Sequence, residues 1–252
     1  PLDNTIYDRL AHTWWAENGA LQAMGPLLNP GRLRYFSDVL FNRLGLEPAG
    51  LRILDVGCGG GLLAEEFARL GCRVVGLDPS EPSINIARQH AATAGLAVHY
   101  LVAPAEDLPF PDGHFDVVLC VDALEHLHDL DSAVAASARV LKPGGVYLYE
   151  TVNRTKLSWL IVIKLLQDWP PTRLLPPNLH AFKKLIRPGE LKRLMERHGI
   201  ESRDLTGMWP NAGLLQIAWT AMQLKLGRIA PAAAAADSPF FKTLKLISGP
   251  IP

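Results

Sequence analysis

The sequence predicts an α/β fold: a doubly wound, mostly parallel sheet with a helical N-terminal extension and a lid insertion. Three observations carry this. From Leu51 onward, short apolar runs alternate with amphipathic stretches. The first run, Ile53 to Val56, breaks into the glycine loop Gly57-Cys58-Gly59-Gly60-Gly61 at the start of a predicted helix. The second run, Cys72 to Leu77, ends on an acid, Asp78. Strand, glycine loop, helix, strand, acid is the first half of a nucleotide-binding sheet.

The same patterns place the other elements. Strands are expected near 52–57, 73–78, 97–102, 115–121 and 145–152, and helices near 61–70, 80–94 and 130–141. Residues 1–50 read as a helical cap. They hold an aromatic-rich stretch from Tyr7 to Trp15, a turn at Asn29-Pro30-Gly31 and an amphipathic helix from Arg32 to Leu44. Residues 51–153 form the ligand-binding core, and 154–187 interrupt its rhythm as an insertion. Residues 188–252 are expected to complete the sheet and end in a variable tail. Pro188 sits at the first turn of a helix running from Arg187 to His198. Glu201 to Met208 suits a sixth strand, and 231–236 reads as a low-complexity linker.

Composition narrows the function. Of 252 residues, 48% are hydrophobic, enough for a sizeable core. Lys+Arg is 25 and Asp+Glu is 25, so no net field draws nucleic acid, and a small-molecule substrate is expected. Cys58, Cys72 and Cys120 are odd in number and scattered, giving neither a disulfide framework nor a zinc pattern. A reducing cytoplasm is the expected setting. No apolar run approaches the roughly 20 residues a bilayer span needs.

The glycine spacing separates two ligand classes. The dinucleotide fingerprint Gly-x-Gly-x-x-Gly fails, because Leu62 holds its third place. An NAD-dependent oxidoreductase is therefore disfavoured. The observed set is Gly57, Gly59 and Gly61, with Asp55 two residues ahead. Such a loop lets a ligand approach the backbone closely. Asp78, at the tip of the next strand, can take both hydroxyls of a ribose. Beyond the fourth strand the chain reads Val121-Asp122-Ala123-Leu124-Glu125-His126. Ligands bind past the carboxyl ends of parallel strands. A helical turn starting at Asp122 would put Asp122, Glu125 and His126 on one face. That trio could hold a divalent cation or supply a general base. Alternatively, Asp122 caps a short turn and the other two meet solvent.

The Asp-x-Gly-x-Gly-x-Gly form at 55–61 is similar to the first motif of S-adenosylmethionine-dependent methyltransferases. Four further segments narrow the likeness: Trp14-Trp15, Asn29-Pro30, Thr151-Val152-Asn153-Arg154, and Lys183 to Pro188. With Leu124-Glu125-His126 they resemble the ubiquinone-biosynthesis O-methyltransferases, from about Trp14 to Gly207. The resemblance implies a Rossmann-like class I methyltransferase fold. It implies S-adenosylmethionine as donor, S-adenosylhomocysteine as product and a divalent cation such as Mg2+. The acceptor implied is a phenolic or hydroquinone small molecule of the ubiquinone-precursor type.

Carried over by position, Arg32 would reach the cofactor carboxylate. Gly57 and Gly59 would approach the aminoacyl part, and Asp55 would also belong to the cofactor site. Asp78 would take the ribose hydroxyls, Pro79 would also line the cofactor site, Ala105 and Glu106 would serve the adenine, and Val121 would contact the cofactor near strand four. Asp122, Glu125 and His126 match a metal triad that is usually Glu, Glu, His in this family. Glu125 and His126 would also be catalytic. Three departures stand out. Asp122 is shorter by a methylene, Pro104 offers no side-chain acceptor and no backbone donor where an adenine partner often stands, and no last antiparallel strand is evident after Trp209. Within 155–186, Leu157 to Leu166 is almost wholly apolar, with Trp169 and Lys183-Lys184 nearby. It would lie peripherally at a membrane interface, or form a core helix with a proline-stiffened loop. Two other readings are a methyltransferase for another acceptor, either a natural-product phenol or a carbon nucleophile, and a catalytically silent cofactor-binding protein.

Overall fold

Five apolar strands form one parallel sheet in the order β3-β2-β1-β4-β5. They are β1 Arg52–Val56, β2 Arg73–Asp78, β3 Val98–Val102, β4 Phe115–Val121 and β5 Leu141–Glu150. The computed structural model describes residues 3–16, 19, 21–22, 24–209, 212–231, 234 and 242–246. Ahead of the sheet lie α1 Ile6–Leu10 and α2 Met24–Ser37, the latter running into a π-helical stretch at Asp38–Arg43. Between strands come α3 Leu62–Arg69, α4 Glu81–Thr93 and α5 Leu130–Val140. After β5 come the short α6 Lys156–Ser158, a π-helical segment Trp159–Asp168, α7 Pro188–Arg197 and α8 Leu214–Lys225.

Buried strands of a parallel sheet carry apolar side chains to both faces. Ile53, Val74, Val117 and Leu119 pack with Phe67, Ile84 and Phe36 on one side. Leu54, Val56, Leu77, Val118 and Cys120 pack with Val134, Leu191 and Met195 on the other. The three cysteines are buried and free, as their spacing led one to expect. Strands β1 and β4 are hydrogen-bonded neighbours in register, Ile53 with Val117 and Asp55 with Leu119. The sequence returns from β3 across the sheet to β4, so the connections diverge beside β1. Such a point opens a crevice at the strands' carboxyl ends.

Three expectations need correction. Asn29-Pro30-Gly31 is not a turn; it lies inside α2. A mid-helix proline costs a hydrogen bond, but this helix is anchored by tertiary contacts of the buried Arg32. The tail does supply an antiparallel strand: β6 Leu205–Trp209 pairs with β7 Lys242–Leu246. These two strands form their own two-stranded sheet, so 188–252 do not extend the five-stranded one. Of the expected linker 231–236, only Pro231 and Ala234 fall within the described residues. Among the described residues, no helix is long and apolar enough to cross a membrane.

Candidate functional site

A cavity of about 360 Å³ opens at the crevice between β1 and β4. All nine residues expected to hold a cofactor line it: Arg32, Asp55, Gly57, Gly59, Asp78, Pro79, Ala105, Glu106 and Val121. Asp122 and His126 line it too, whereas Glu125 lies behind them.

The glycine loop is shaped by close neighbours. Gly57 has φ +75, and a Cβ there would fall 2.5 Å from the Ala123 Cβ. Gly59 has φ +53, and its Cβ would meet the Trp14 ring at 2.5 Å. Only glycine suits both conditions. Trp14 reaches the loop from the N-terminal segment, and its Nε1 donates to Ser83 Oγ at 3.0 Å. Trp15 Nε1 donates to the Gly60 carbonyl at 2.8 Å, and its ring stacks on His90 at 3.5 Å. Tyr7, Asp8 and Asn4 extend this roof over the cavity. The aromatic-rich stretch was visible in the sequence, but its place above the loop was not.

Asp78 accepts from the Gly59 N–H and, through its other oxygen, from the Ser80 N–H, both at 2.9 Å. Each carboxylate oxygen has a second lone pair, so two further donors can bind. Burial pushes the Asp78 carboxyl up to about 6, against the pull of these backbone donors. Asp55 is 3% exposed, and burial, aided by the charge of Asp78, pushes it up to about 7. The folded chain therefore keeps a proton on Asp55 that the unfolded chain has lost. This contribution is full below about pH 4 and disappears as pH rises through 7. Relative to Asp55→Asn, the wild-type apoprotein is expected to lose roughly 1.4 kcal/mol per pH unit across this window. Denaturant unfolding of both proteins at pH 5 and pH 8 checks it, and a constant gap would refute it.

Arg32 is 4% exposed. Its Nε donates to Glu150 at 2.6 Å and its Nη2 to the other Glu150 oxygen at 3.0 Å. Nη2 also donates to Asp122, and Nη1 to the Asn29 side chain at 3.3 Å. Its charge is thus shared between the ends of β4 and β5. Arg32 lines the cavity, but its donors are already engaged by Glu150, Asp122 and Asn29.

The expected triad is not assembled as the sequence suggested. Asp122 adopts a left-handed backbone, φ +52, so no helical turn begins there. The one-turn 3-10 helix spans Leu124–His126, and the i, i+3, i+4 face does not form. With its carboxylate on Arg32, Asp122 stands apart from the cluster. Glu125 is 1% exposed; Thr151 Oγ1 donates to its Oε2 at 2.7 Å, and Oε1 has no partner. Burial, aided by the Asp122 charge, pushes its carboxyl well above the usual carboxylate range. His126 is also buried, and burial pushes it down to about 4. Its Nε2 lies 3.2 Å from Tyr7 Oη, and its Nδ1 has no partner. The neighbour that joins these two is His180, whose ligand atom falls within 4.8 Å of theirs. His180 comes from the insertion and carried no spacing signal in the sequence. Among the described residues, Glu125, His126 and His180 are the group whose ligand atoms lie close enough to share a cation; Asp122 is not among them.

Comparison with known proteins now bears on this geometry. A family profile described as a methyltransferase domain matches residues 54–149. The ubiquinone biosynthesis O-methyltransferase of Thiobacillus denitrificans is 41% identical over 206 residues, covering 81% of this chain and 85% of that protein. The protein of the same name from Rhizobium etli is 37% identical over 211 residues, covering 81% and 84%. Among solved structures, magnesium protoporphyrin IX methyltransferase from Synechocystis PCC 6803, with bound SAH, aligns at TM-score 0.58 and 20% identity. It covers 81% of this chain and 88% of that one. A SAM-dependent methyltransferase from Aquifex aeolicus aligns at TM-score 0.55 and 17% identity, covering 83% and 93%. These two structures share the fold. The identities, their coverage and the glycine-lined crevice agree: the chain belongs to the ubiquinone biosynthesis O-methyltransferase family of S-adenosylmethionine-dependent enzymes.

Proposed function

We propose that the chain transfers a methyl group from S-adenosylmethionine to a phenolic oxygen of a ubiquinone-type precursor. The observation that carries this reading is the convergence of nine expected cofactor residues on one cavity whose wall continues into His126. When bound, S-adenosylmethionine supplies a methyl group already activated on a sulfonium. The chain's work is then alignment and exclusion of water. Gly57 and Gly59 give room for the aminoacyl part against the backbone. Asp78 accepts the ribose hydroxyls with its remaining lone pairs. Ala105 and Glu106 flank the adenine, with Pro104 contributing packing alone. Tyr7 and Trp14 roof the cavity.

The acceptor's phenolic proton, with a pKa of about 10 by analogy with tyrosine, must leave. His126 stands at the wall, held neutral by burial, and is the imidazole placed to take it. A divalent ion held beside Glu125 and His126 would supply positive charge that favours the phenolate.

Asp78→Ala tests the cofactor's placement. It removes an acceptor of two ribose hydroxyls and frees the Gly59 and Ser80 amides. Affinity for S-adenosylhomocysteine by titration calorimetry is expected to fall about 100-fold, as for lost hydrogen bonds to a charged group. An unchanged Kd would remove the sugar from the tip of β2.

The acceptor class also gives meaning to an apolar face. Trp159, Leu160 and Trp169 in the insertion are more than one third exposed, as are Leu215 and Trp219 on α8. Helix α8 packs against the insertion's π-helical segment. Exposed tryptophans beside lysines suit a bilayer interface, where a polyprenyl acceptor resides. Co-sedimentation with anionic vesicles is expected for the wild type and reduced in Trp169→Ala/Trp219→Ala. Equal sedimentation of the two proteins counts against this face.

A further inference from the structure

We propose that the hydroxyl of Tyr7 is a docking point for the acceptor: it hydrogen-bonds an oxygen of the acceptor ring beside His126. The N-terminal segment, rather than the sheet, then supplies the contact that orients that ring. The inference rests on the acceptor being phenolic and names a residue that selects it.

Tyr7 stands in the aromatic-rich stretch ahead of the sheet. Its ring is placed by two aromatic neighbours. It lies nearly parallel to Trp14, with centroids 6.3 Å apart, and edge-on to His126 at 5.5 Å. A phenylalanine would keep both contacts, so packing does not account for the oxygen. That oxygen lies 3.2 Å from His126 Nε2. A tyrosine hydroxyl both donates and accepts, and His126 takes one of these roles whichever tautomer it holds. The other role remains for a ligand, because Tyr7 lines the cavity beside Asn4, Asp122 and His126. In such a crevice a few well-placed polar groups set a ligand's orientation.

The oxygen is held by a stitched frame. Ile6 is buried at the start of α1, and the Tyr7 N–H donates to the Asn4 carbonyl at 3.2 Å. Asn4 Nδ2 donates to the His126 carbonyl at 2.8 Å. A carbonyl only accepts, so the amide nitrogen of Asn4 must point there. The Asp3 N–H donates to the carbonyl of Asn178 in the insertion at 3.2 Å. Residues 3–7 are thus tied both to the turn carrying His126 and to the insertion. A hydroxyl on this frame needs little ordering when the acceptor arrives. It also keeps a ring oxygen near the imidazole placed to take its proton. A site that hydrogen-bonds a substrate hydroxyl rejects the analogue lacking it.

Ternary binding tests the docking point without reference to turnover. Calorimetric titrations are run with S-adenosylhomocysteine saturating. The probes are a short-chain demethylated hydroquinol and the same ring with hydrogen in place of both hydroxyls. Tyr7→Phe is expected to bind the hydroquinol about 10-fold more weakly, and the deoxygenated ring within about two-fold of wild type, as for one lost buried hydrogen bond. S-adenosylhomocysteine affinity should stay unchanged, which reports that the roof is intact. The hydroquinol loss should persist when Tyr7→Phe is added to His126→Ala, separating direct docking from an effect passed through the imidazole. Equal hydroquinol affinity in wild type and Tyr7→Phe overturns the proposal. So does a loss that vanishes in the His126→Ala background. An equal loss with both probes, or a matching fall in S-adenosylhomocysteine affinity, overturns it too, because either marks a packing role. Hydroquinol that fails to bind the wild type charged with S-adenosylhomocysteine overturns the phenolic acceptor and this docking point together, and leaves the cofactor site standing.

Discussion

Replacing Arg32 with alanine is expected to lower the unfolding free energy by about 3–5 kcal/mol, the usual cost of leaving a buried charge uncompensated. The guanidinium is 4% exposed and sits between Glu150 and Asp122. It holds Glu150 with two parallel donors, the fork geometry that lysine cannot reproduce. Without it, two carboxylates at adjoining strand ends face each other across the cavity wall. The change also unties α2 from the sheet, and α2 already carries Pro30 in its interior. Thermal unfolding of the apoprotein should show a midpoint lower by roughly 10 °C or more, given about 2–4 °C per kcal/mol at this size. Arg32→Lys should fall between, keeping charge and losing the fork. Adding Glu150→Gln to Arg32→Ala should recover part of the loss, because one stranded charge is removed. A midpoint for Arg32→Ala within two degrees of wild type would mean that the network does not hold α2 in place. The same experiment separates two roles of this arginine. A cofactor contact alone would weaken ligand binding and leave apoprotein stability unchanged.

The sheet could be read from the chain because its signals are local. An apolar run such as Phe115 to Val121 is a buried parallel strand in almost any context, and Ser80 caps α4 from its own neighbourhood. The glycine loop and Asp78 were legible for the same reason: a handful of contiguous residues determines their geometry. Three features were not, and each depends on partners distant in sequence. Helix α2 continues through Asn29-Pro30-Gly31 because Arg32 is pinned by residues near 122 and 150. Asp122 leaves the expected face because its backbone turns left-handed and its carboxylate goes to that same arginine. His180 joins Glu125 and His126 only through closure of the insertion, where Gln167 grips its backbone. A histidine in a proline-rich stretch has no periodicity to betray it. The family resemblance pointed to Glu125 and His126 together with Asp122, which in the structure pairs with Arg32 instead.

Glu125→Gln and His126→Ala are each expected to cut turnover by about 10²–10⁴, the usual worth of a positioned proton-transfer group, with cofactor affinity little changed. The split follows from where the residues stand. His126 lines the cavity, but the glycine loop and Asp78 hold the cofactor from the β1 and β2 side. Glu125 lies behind the wall, so its loss cannot touch a bound nucleoside directly; it acts on the acceptor's proton or on the charge beside it. Glu125→Gln keeps volume and the Thr151 contact, which separates charge from packing. Turnover is best followed as S-adenosylhomocysteine release with a short-chain demethylated hydroquinol, beside calorimetric titration of the cofactor. Reduced kcat at constant cofactor Kd places both residues in the transition state. Wild-type kcat in both variants would strike them from the mechanism, leaving alignment over the glycine loop to account for catalysis alone. Parallel losses of kcat and cofactor affinity would instead mark His126 as a strut for the Tyr7 roof, whose hydroxyl rests on its Nε2.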